Sequence, residues 1–211
     1  MEVWALVEES RSMHYILLSL NSTFLSFVLK EENSSTLDKN RPIAFCNVIY
    51  KLISKVIENR LKPLLPLLIS QEKTEYVEGQ KILDGIILSH EVIHSLKLHK
   101  KPGMLLKLDL SKAFDKLSWN YIKQILLAFG FNAPWTRWVM SLLLSPSFSI
   151  LINASPSLPF QSSRGIRQGD PLAPFLFVLM AEGVSRLIHH AASSDSIKGI
   201  SLHDNSPITH Q

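Results

Sequence analysis

Residues Met104–Leu110 (MLLKLDL) constrain this chain more than any other stretch. Alternation sets Leu105, Lys107 and Asp109 on one face and Leu106, Leu108 and Leu110 on the other, which predicts a strand in a half-buried sheet. Asp109 ends an otherwise apolar strand. A carboxylate withdrawn from water without a partner is costly, so Asp109 must meet a cation, a metal or a helix N-terminus. Capping of the next turn, or pairing with Lys107, would satisfy the same need. Asp115, six residues on, reads as a solvated turn residue.

Periodicity places elements on both sides of this strand. Phe24–Leu29 reads as a strand, followed by a polar loop over 31–40. Val48, Ile49, Leu52, Ile53, Val56, Ile57 and Leu61 recur at helical spacing, and Pro63 and Pro66 end or kink that helix. Its other face carries Lys51, Lys55, Arg60 and Lys62 against Glu58. Further helices are predicted over 82–96, over 119–129 closed by Gly130, and over 135–144 opened by Pro134. Phe148–Ile152 and Ile197–Leu202 read as strands, and Asp170 as the N-cap of a helix running from Pro171 to about His190. Strands interleaved with helices predict a layered α/β or α+β fold.

Composition narrows the classes. With 46% hydrophobic and 19% charged residues in 211, the chain can bury a core and is not a disordered segment. A net charge of +4 permits a nucleic-acid partner without requiring one. Cys46 is the only cysteine, which excludes an intramolecular disulfide and a Cys-rich zinc site. Residues 1–12 carry three Glu, and the run Tyr15–Leu29 is interrupted by Asn21. Neither reads as a secretory leader or a bilayer span, so no membrane role is expected.

A second constellation is Ser163-Arg164-Gly165-Ile166-Arg167-Gln168-Gly169-Asp170-Pro171-Leu172. Glycines allow close backbone approach to a ligand. Two arginines leading into a helix N-terminus favour phosphate. Gln168 both donates and accepts hydrogen bonds. An ordinary loop with surface arginines is the alternative.

Taken together these segments resemble a known family. Lys107-Leu108-Asp109-Leu110-Ser111-Lys112-Ala113-Phe114-Asp115 resembles the first catalytic segment of reverse transcriptases. Arg164-Gly165-Ile166-Arg167-Gln168-Gly169-Asp170-Pro171-Leu172, running on to Pro174-Phe175-Leu176-Phe177, resembles the next segment of the LINE-type (non-LTR) retrotransposon branch. Arg41-Pro42-Ile43 and Cys46-Asn47-Val48-Ile49-Tyr50-Lys51 resemble that branch's fingers motif, especially in plant elements. The resemblance covers about Phe24 to Leu202.

The resemblance implies an α+β fold of reverse-transcriptase fingers plus an incomplete ferredoxin-like palm, with residues 1–103 as N-terminal helix and fingers and 104–211 as partial palm. It implies template-directed dNTP addition on an RNA template and DNA primer by a two-metal mechanism using Mg²⁺ or Mn²⁺. Asp109 and the carbonyl of Leu110 would hold metal. Lys30, Arg41, Phe114, Gln168 and Gly169 would contact the nucleotide, Phe114 as a steric gate against a ribose 2′-hydroxyl. Arg164, Arg167, Lys51 and Lys55 would contact nucleic acid, the two arginines alternatively supporting their loop and the lysines alternatively forming a solvated face. An intracellular location, nucleus or cytoplasm, is implied in the same way. No oligomeric state follows.

The chain also departs from the family pattern. No Asp-Asp pair occurs in the 211 residues, so the family's Phe/Tyr-Ala-Asp-Asp segment is missing, and Glu75, Gln80 and Ala154 differ from the usual residues. The expectation is a truncated reverse-transcriptase domain with little or no polymerase activity by itself. The alternatives are a non-catalytic nucleic-acid-binding remnant, or a two-metal phosphohydrolase on Asp109 and Asp115, which would lack further acidic ligands.

Overall fold

The computed structural model describes residues 3–29, 40–70, 82–106, 110–144, 146–153 and 155–198. Two compact units divide the chain, one made of Met1–Pro63 with Lys112–Phe177, the other of Leu64–Ser111 with Val178–Gln211. Residues on both sides of the 103/104 boundary therefore belong to each unit.

The first unit is organised on helix α2 (Val48–Leu61). Asn47 caps it, its side-chain oxygen accepting from the Ile49 amide at 2.9 Å. It gives way at Lys62–Leu64 to a 3-10 turn, because Pro63 has no N–H to continue the ladder. The buried stripe is Tyr50, Ile53, Ser54, Ile57, Glu58 and Leu61. That stripe is rotated from the purely apolar one, and Val48 and Leu52 face solvent. Helices α1 (Val3–Met13), α6 (Trp119–Ala128) and α7 (Ala133–Leu144) complete the helical part. Gly130, at φ +84°, ends the α6 region as expected. Val7, Tyr50, Ile53, Ile57, Ile122, Leu126, Trp138 and Leu142 are buried here.

Beside them lies a small mixed sheet of order β2-β1-β3-β4. β1 (Ser22–Leu29) pairs antiparallel with β2 (Asn40–Cys46), Leu25 facing Ala44, and parallel with β3 (Ser147–Ile152), Leu25 facing Ile150. β4 (Ser155–Pro156) pairs with the end of β3. The expected strand at 148–152 and helices at 48–61, 119–129 and 135–144 are all present within a residue or two.

In the second unit, α3 (Leu65–Leu68) is one turn and α4 spans Ile82–Leu98. Helix α8 (Ala173–Ser193) begins in the first unit and continues into the second. Within the second unit the buried Glu182 of α8 accepts from the Ser70 amide at 3.2 Å and hydroxyl at 2.9 Å, and from Arg186 at 3.2 Å. By length and composition α8 is apolar enough to cross a bilayer, with 33% of its most apolar window buried. Core helices pass the same test.

Two expected strands are not formed by those of their residues that the structure describes. Met104, Leu105, Leu106 and Leu110 belong to no strand and are 84%, 65%, 71% and 64% exposed; residues 107–109 lie outside the described set. Alternation is only a readiness to pair, and a strand needs a neighbour to bond its N–H and C=O groups. None of the described strands runs beside this stretch. Likewise Ile197 and Lys198 are not in a strand, and residues 199–202 lie outside the described set.

Candidate functional site

The chemistry-bearing residues of the first unit converge on the loop that leads into α8. Short helix α5 (Ala113–Lys116) follows a left-handed Lys112, φ +53°. Ile166 donates its amide to the Phe114 carbonyl at 2.8 Å, and Gly165 donates to Leu117 at 2.8 Å. The Trp119 indole N–H donates to the Gly165 carbonyl at 2.7 Å. On the other side Ala44 of β2 donates to the Gln168 carbonyl at 2.9 Å. The loop is thereby clamped between β2 and α5.

Glycine is required at both clamps. A Cβ on Gly165 (φ +90°) would lie 2.8 Å from the Asp115 carbonyl oxygen, and one on Gly169 (φ +107°) 3.0 Å from that of Ala44. The left-handed backbone adds strain for any other residue.

The clamp borders a cleft of about 190 Å³ lined by Leu25, Pro42, Ala44, Asp115, Phe148, Phe160, Arg164, Arg167 and Gln168 among others. Its wall is mostly apolar with a few convergent polar groups, as small-molecule sites are. Gln168 donates from Nε2 to the Asp115 carboxylate at 3.2 Å, which fixes the amide's orientation. Arg164 is exposed at the edge and makes no hydrogen bond or ion pair among the described residues.

Arg167 differs sharply from Arg164. It is 6% exposed. It donates to the Thr23 hydroxyl at 3.0 Å, the Leu142 carbonyl at 2.7 Å and the Asn21 side-chain oxygen. Its guanidinium carbon sits 4.1 Å from the centroid of the Tyr50 ring. Of the two roles open to it, support of the loop is the one these contacts serve. Asp170 mirrors it: the carboxylate accepts from the hydroxyls of Tyr50 and Ser54 and from the Leu172 amide at 3.0 Å. The expected cap is therefore also a buried anchor onto α2.

Burial pushes the Tyr50 phenol well above its usual 10, and the Asp170 carboxylate adds to the rise. Because the folded-state value is raised, the stability linked to Tyr50 is fully present below the unfolded pKa of about 10 and is lost as pH rises through the higher folded value. Urea melts at increasing pH are expected to show a decline above about pH 10 that shrinks in Tyr50→Phe; an unchanged decline would exclude Tyr50 as its source. Burial likewise pushes the Cys46 thiol up, against the nearby Arg167 charge, which suits an inert core residue.

The remaining expected site residues scatter. Phe114 is half-buried and stacks on Phe177 of α8, centroids 4.9 Å apart. Arg41 is exposed on β2, and the pleat turns it away from the face on which Pro42 and Ala44 line the cleft. Lys51 is half-buried on α2, and exposed Lys55 is paired with Glu58 at 2.7 Å. Lys30 and Asp109 lie outside the described residues, and Leu110 is exposed. Among the described residues no three His, Cys, Asp or Glu side chains gather in one place. The sequence reading missed Asn21, Thr23 and the Tyr50/Ser54 pair; the last carried a signal, two hydroxyls four residues apart on one helical face.

Comparison with known proteins bears on this arrangement. Residues 28–204 match the family model "Reverse transcriptase (RNA-dependent DNA polymerase)". The chain is 29% identical over 165 residues to the transposon TX1 uncharacterized 149 kDa protein of Xenopus laevis, covering 78% of this chain and 13% of that protein. It is 27% identical over 138 residues to a retrovirus-related Pol polyprotein from a type-1 R2 retrotransposable element of Popillia japonica, covering 65% and 19%. Over 57 residues it is 44% identical to an uncharacterized mitochondrial protein of Arabidopsis thaliana, covering 27% and 47%. The chain thus spans less than a fifth of the first two relatives. The match runs through β2, the clamped loop and α5, the segments that meet at the cleft, and the chain belongs to the reverse transcriptase (RNA-dependent DNA polymerase) family, on the LINE-type branch that its motifs mark.

Proposed function

We infer that this chain supplies the fingers (1–103) and the front of the palm (104–211) of an RNA-directed DNA polymerase, and that the cleft beside the Arg164–Gln168 loop receives the nucleotide and its templating base. One observation carries the reading. Three segments distant in sequence, Pro42–Ala44, Phe114–Asp115 and Arg164–Gln168, are locked around one cleft whose polar groups are Asp115, Gln168 and the exposed Arg164. Arg164 offers a fork of donors suited to phosphate, and the oriented amide of Gln168 suits a base edge or sugar hydroxyl. RNA template, DNA primer and dNTP are the partners of this reading.

Reverse transcriptases are in general Mg²⁺-dependent, and the ion there supplies charge neutralisation at the transferring phosphate. In this chain Asp109 is the carboxylate assigned to it, with no Asp-Asp pair in the 211 residues. Missing metal carboxylates remove much of the electrostatic stabilisation on which phosphoryl transfer depends. The 211-residue chain alone is therefore expected to bind primer–template and to extend it no faster than background.

Primer extension with Mg²⁺ or Mn²⁺, alongside photo-crosslinking of a dNTP analogue, tests both halves. Crosslinks are expected in the 162–168 peptide and should be weakened by Arg164→Ala. Robust incorporation that disappears in Asp109→Ala would overturn the inactivity. Crosslinks spread evenly over the surface would overturn the assignment of the cleft.

A further inference from the structure

Basic residues singled out by the motifs are largely engaged, Arg167 in the core and Lys55 with Glu58. A different basic surface emerges in the second unit, at the end of α4. The helix stops with Lys100 left-handed at φ +50° and the Lys101 amide donating back to the Leu96 carbonyl at 3.0 Å. A helix closure of this kind ordinarily uses glycine. Here the reversal brings Lys97, Lys100 and Lys101, all exposed, around one open hollow of about 620 Å³. Its other lining residues are Ile93, Leu96, Pro102, Gly103 and Leu105, with no carboxylate among them.

Cations beside an apolar wall fit a particular ligand. Single-stranded nucleic acid offers phosphates for ammonium groups and base faces for apolar surface. A hollow of this size holds a ligand larger than a lone phosphate.

We propose that Lys97, Lys100 and Lys101 form a second, sequence-independent contact for single-stranded RNA, its phosphates on the lysines and its bases against Leu96 and Leu105. The proposal rests on the reading that this chain handles nucleic acid, but it concerns a surface of the second unit separate from the cleft residues.

Fluorescence anisotropy with an unstructured RNA of about 20 nucleotides, long enough to engage a site of this class, tests it on the full 211-residue chain. Each phosphate contact to a single strand contributes about 0.7 to the slope of log K against log salt. The triple variant K97Q/K100Q/K101Q is expected to lower that slope by about 2 and to weaken binding on the order of tenfold or more at ~0.1 M salt. The triple Lys→Arg variant should keep the slope, and equal melting curves exclude misfolding. An unchanged slope overturns the proposal, as does wild-type chain that binds phosphatidylserine vesicles through these lysines but no RNA. The dNTP crosslink at 162–168 separates the two readings. A crosslink retained with an unchanged slope refutes this surface alone, whereas a lost crosslink with a lowered slope refutes the cleft and leaves this surface standing.

Discussion

Asp170→Ala is expected to lower the urea midpoint of the chain by about 1–2 M, corresponding to roughly 3–5 kcal/mol. The loss has three sources. The buried hydroxyls of Tyr50 and Ser54 lose their acceptor, and an unsatisfied buried donor costs about 1–3 kcal/mol. The Leu172 amide loses its cap, worth about 1 kcal/mol. Asp170→Asn keeps one acceptor oxygen and should lose about half as much. An Asp170→Ala midpoint within about 0.3 M of wild type would show that these contacts do not hold the Arg164–Asp170 loop to α2.

Two arginines three residues apart in one motif are expected to behave oppositely. Arg167→Ala removes the charged donor from the Leu142 carbonyl and from the Asn21 and Thr23 side chains, leaving that carbonyl the Asn21 amide at 3.2 Å, and removes the charge over the Tyr50 ring. Emptying a buried charged site this way costs about 3–5 kcal/mol, so the variant should melt well below wild type and accumulate poorly. Arg164→Ala removes no hydrogen bond or ion pair among the described residues and should leave stability within about 0.5 kcal/mol, while weakening the dNTP crosslink. If Arg167→Ala melts with wild type but loses binding, the buried network is wrong and Arg167 is a ligand contact.

Much of the helical structure was legible because it rests on short-range rules. Pro63, Gly130 and Pro134 stop and start helices through their own backbone chemistry, and Asp170 caps where its position before a proline and an apolar run says it should. The buried face of α2 was only half legible. Hydrophobicity selects Val48 and Leu52, yet the structure exposes both and buries Ser54 and Glu58. The carboxylate of Asp170, more than a hundred residues away, draws the Tyr50 and Ser54 face inward.

The segment 104–110 teaches the complementary lesson. Its alternation marked a strand in the sequence, and together with the Arg164–Asp170 motif it marked the family correctly. Pattern specifies which residues can pair, but pairing is made by another segment's backbone, and none of the described strands runs beside the described part of this stretch. The sequence by itself determined the family and the positions of most of the longer helices, since these depend on residue type and local spacing. Tertiary structure alone decided that Arg167 is core and Arg164 surface, that Arg41 faces away from the cleft lined by Pro42 and Ala44, and that Lys97, Lys100 and Lys101 share one hollow. The physical reason is that burial and convergence are properties of contacts between distant segments, and no single segment encodes them.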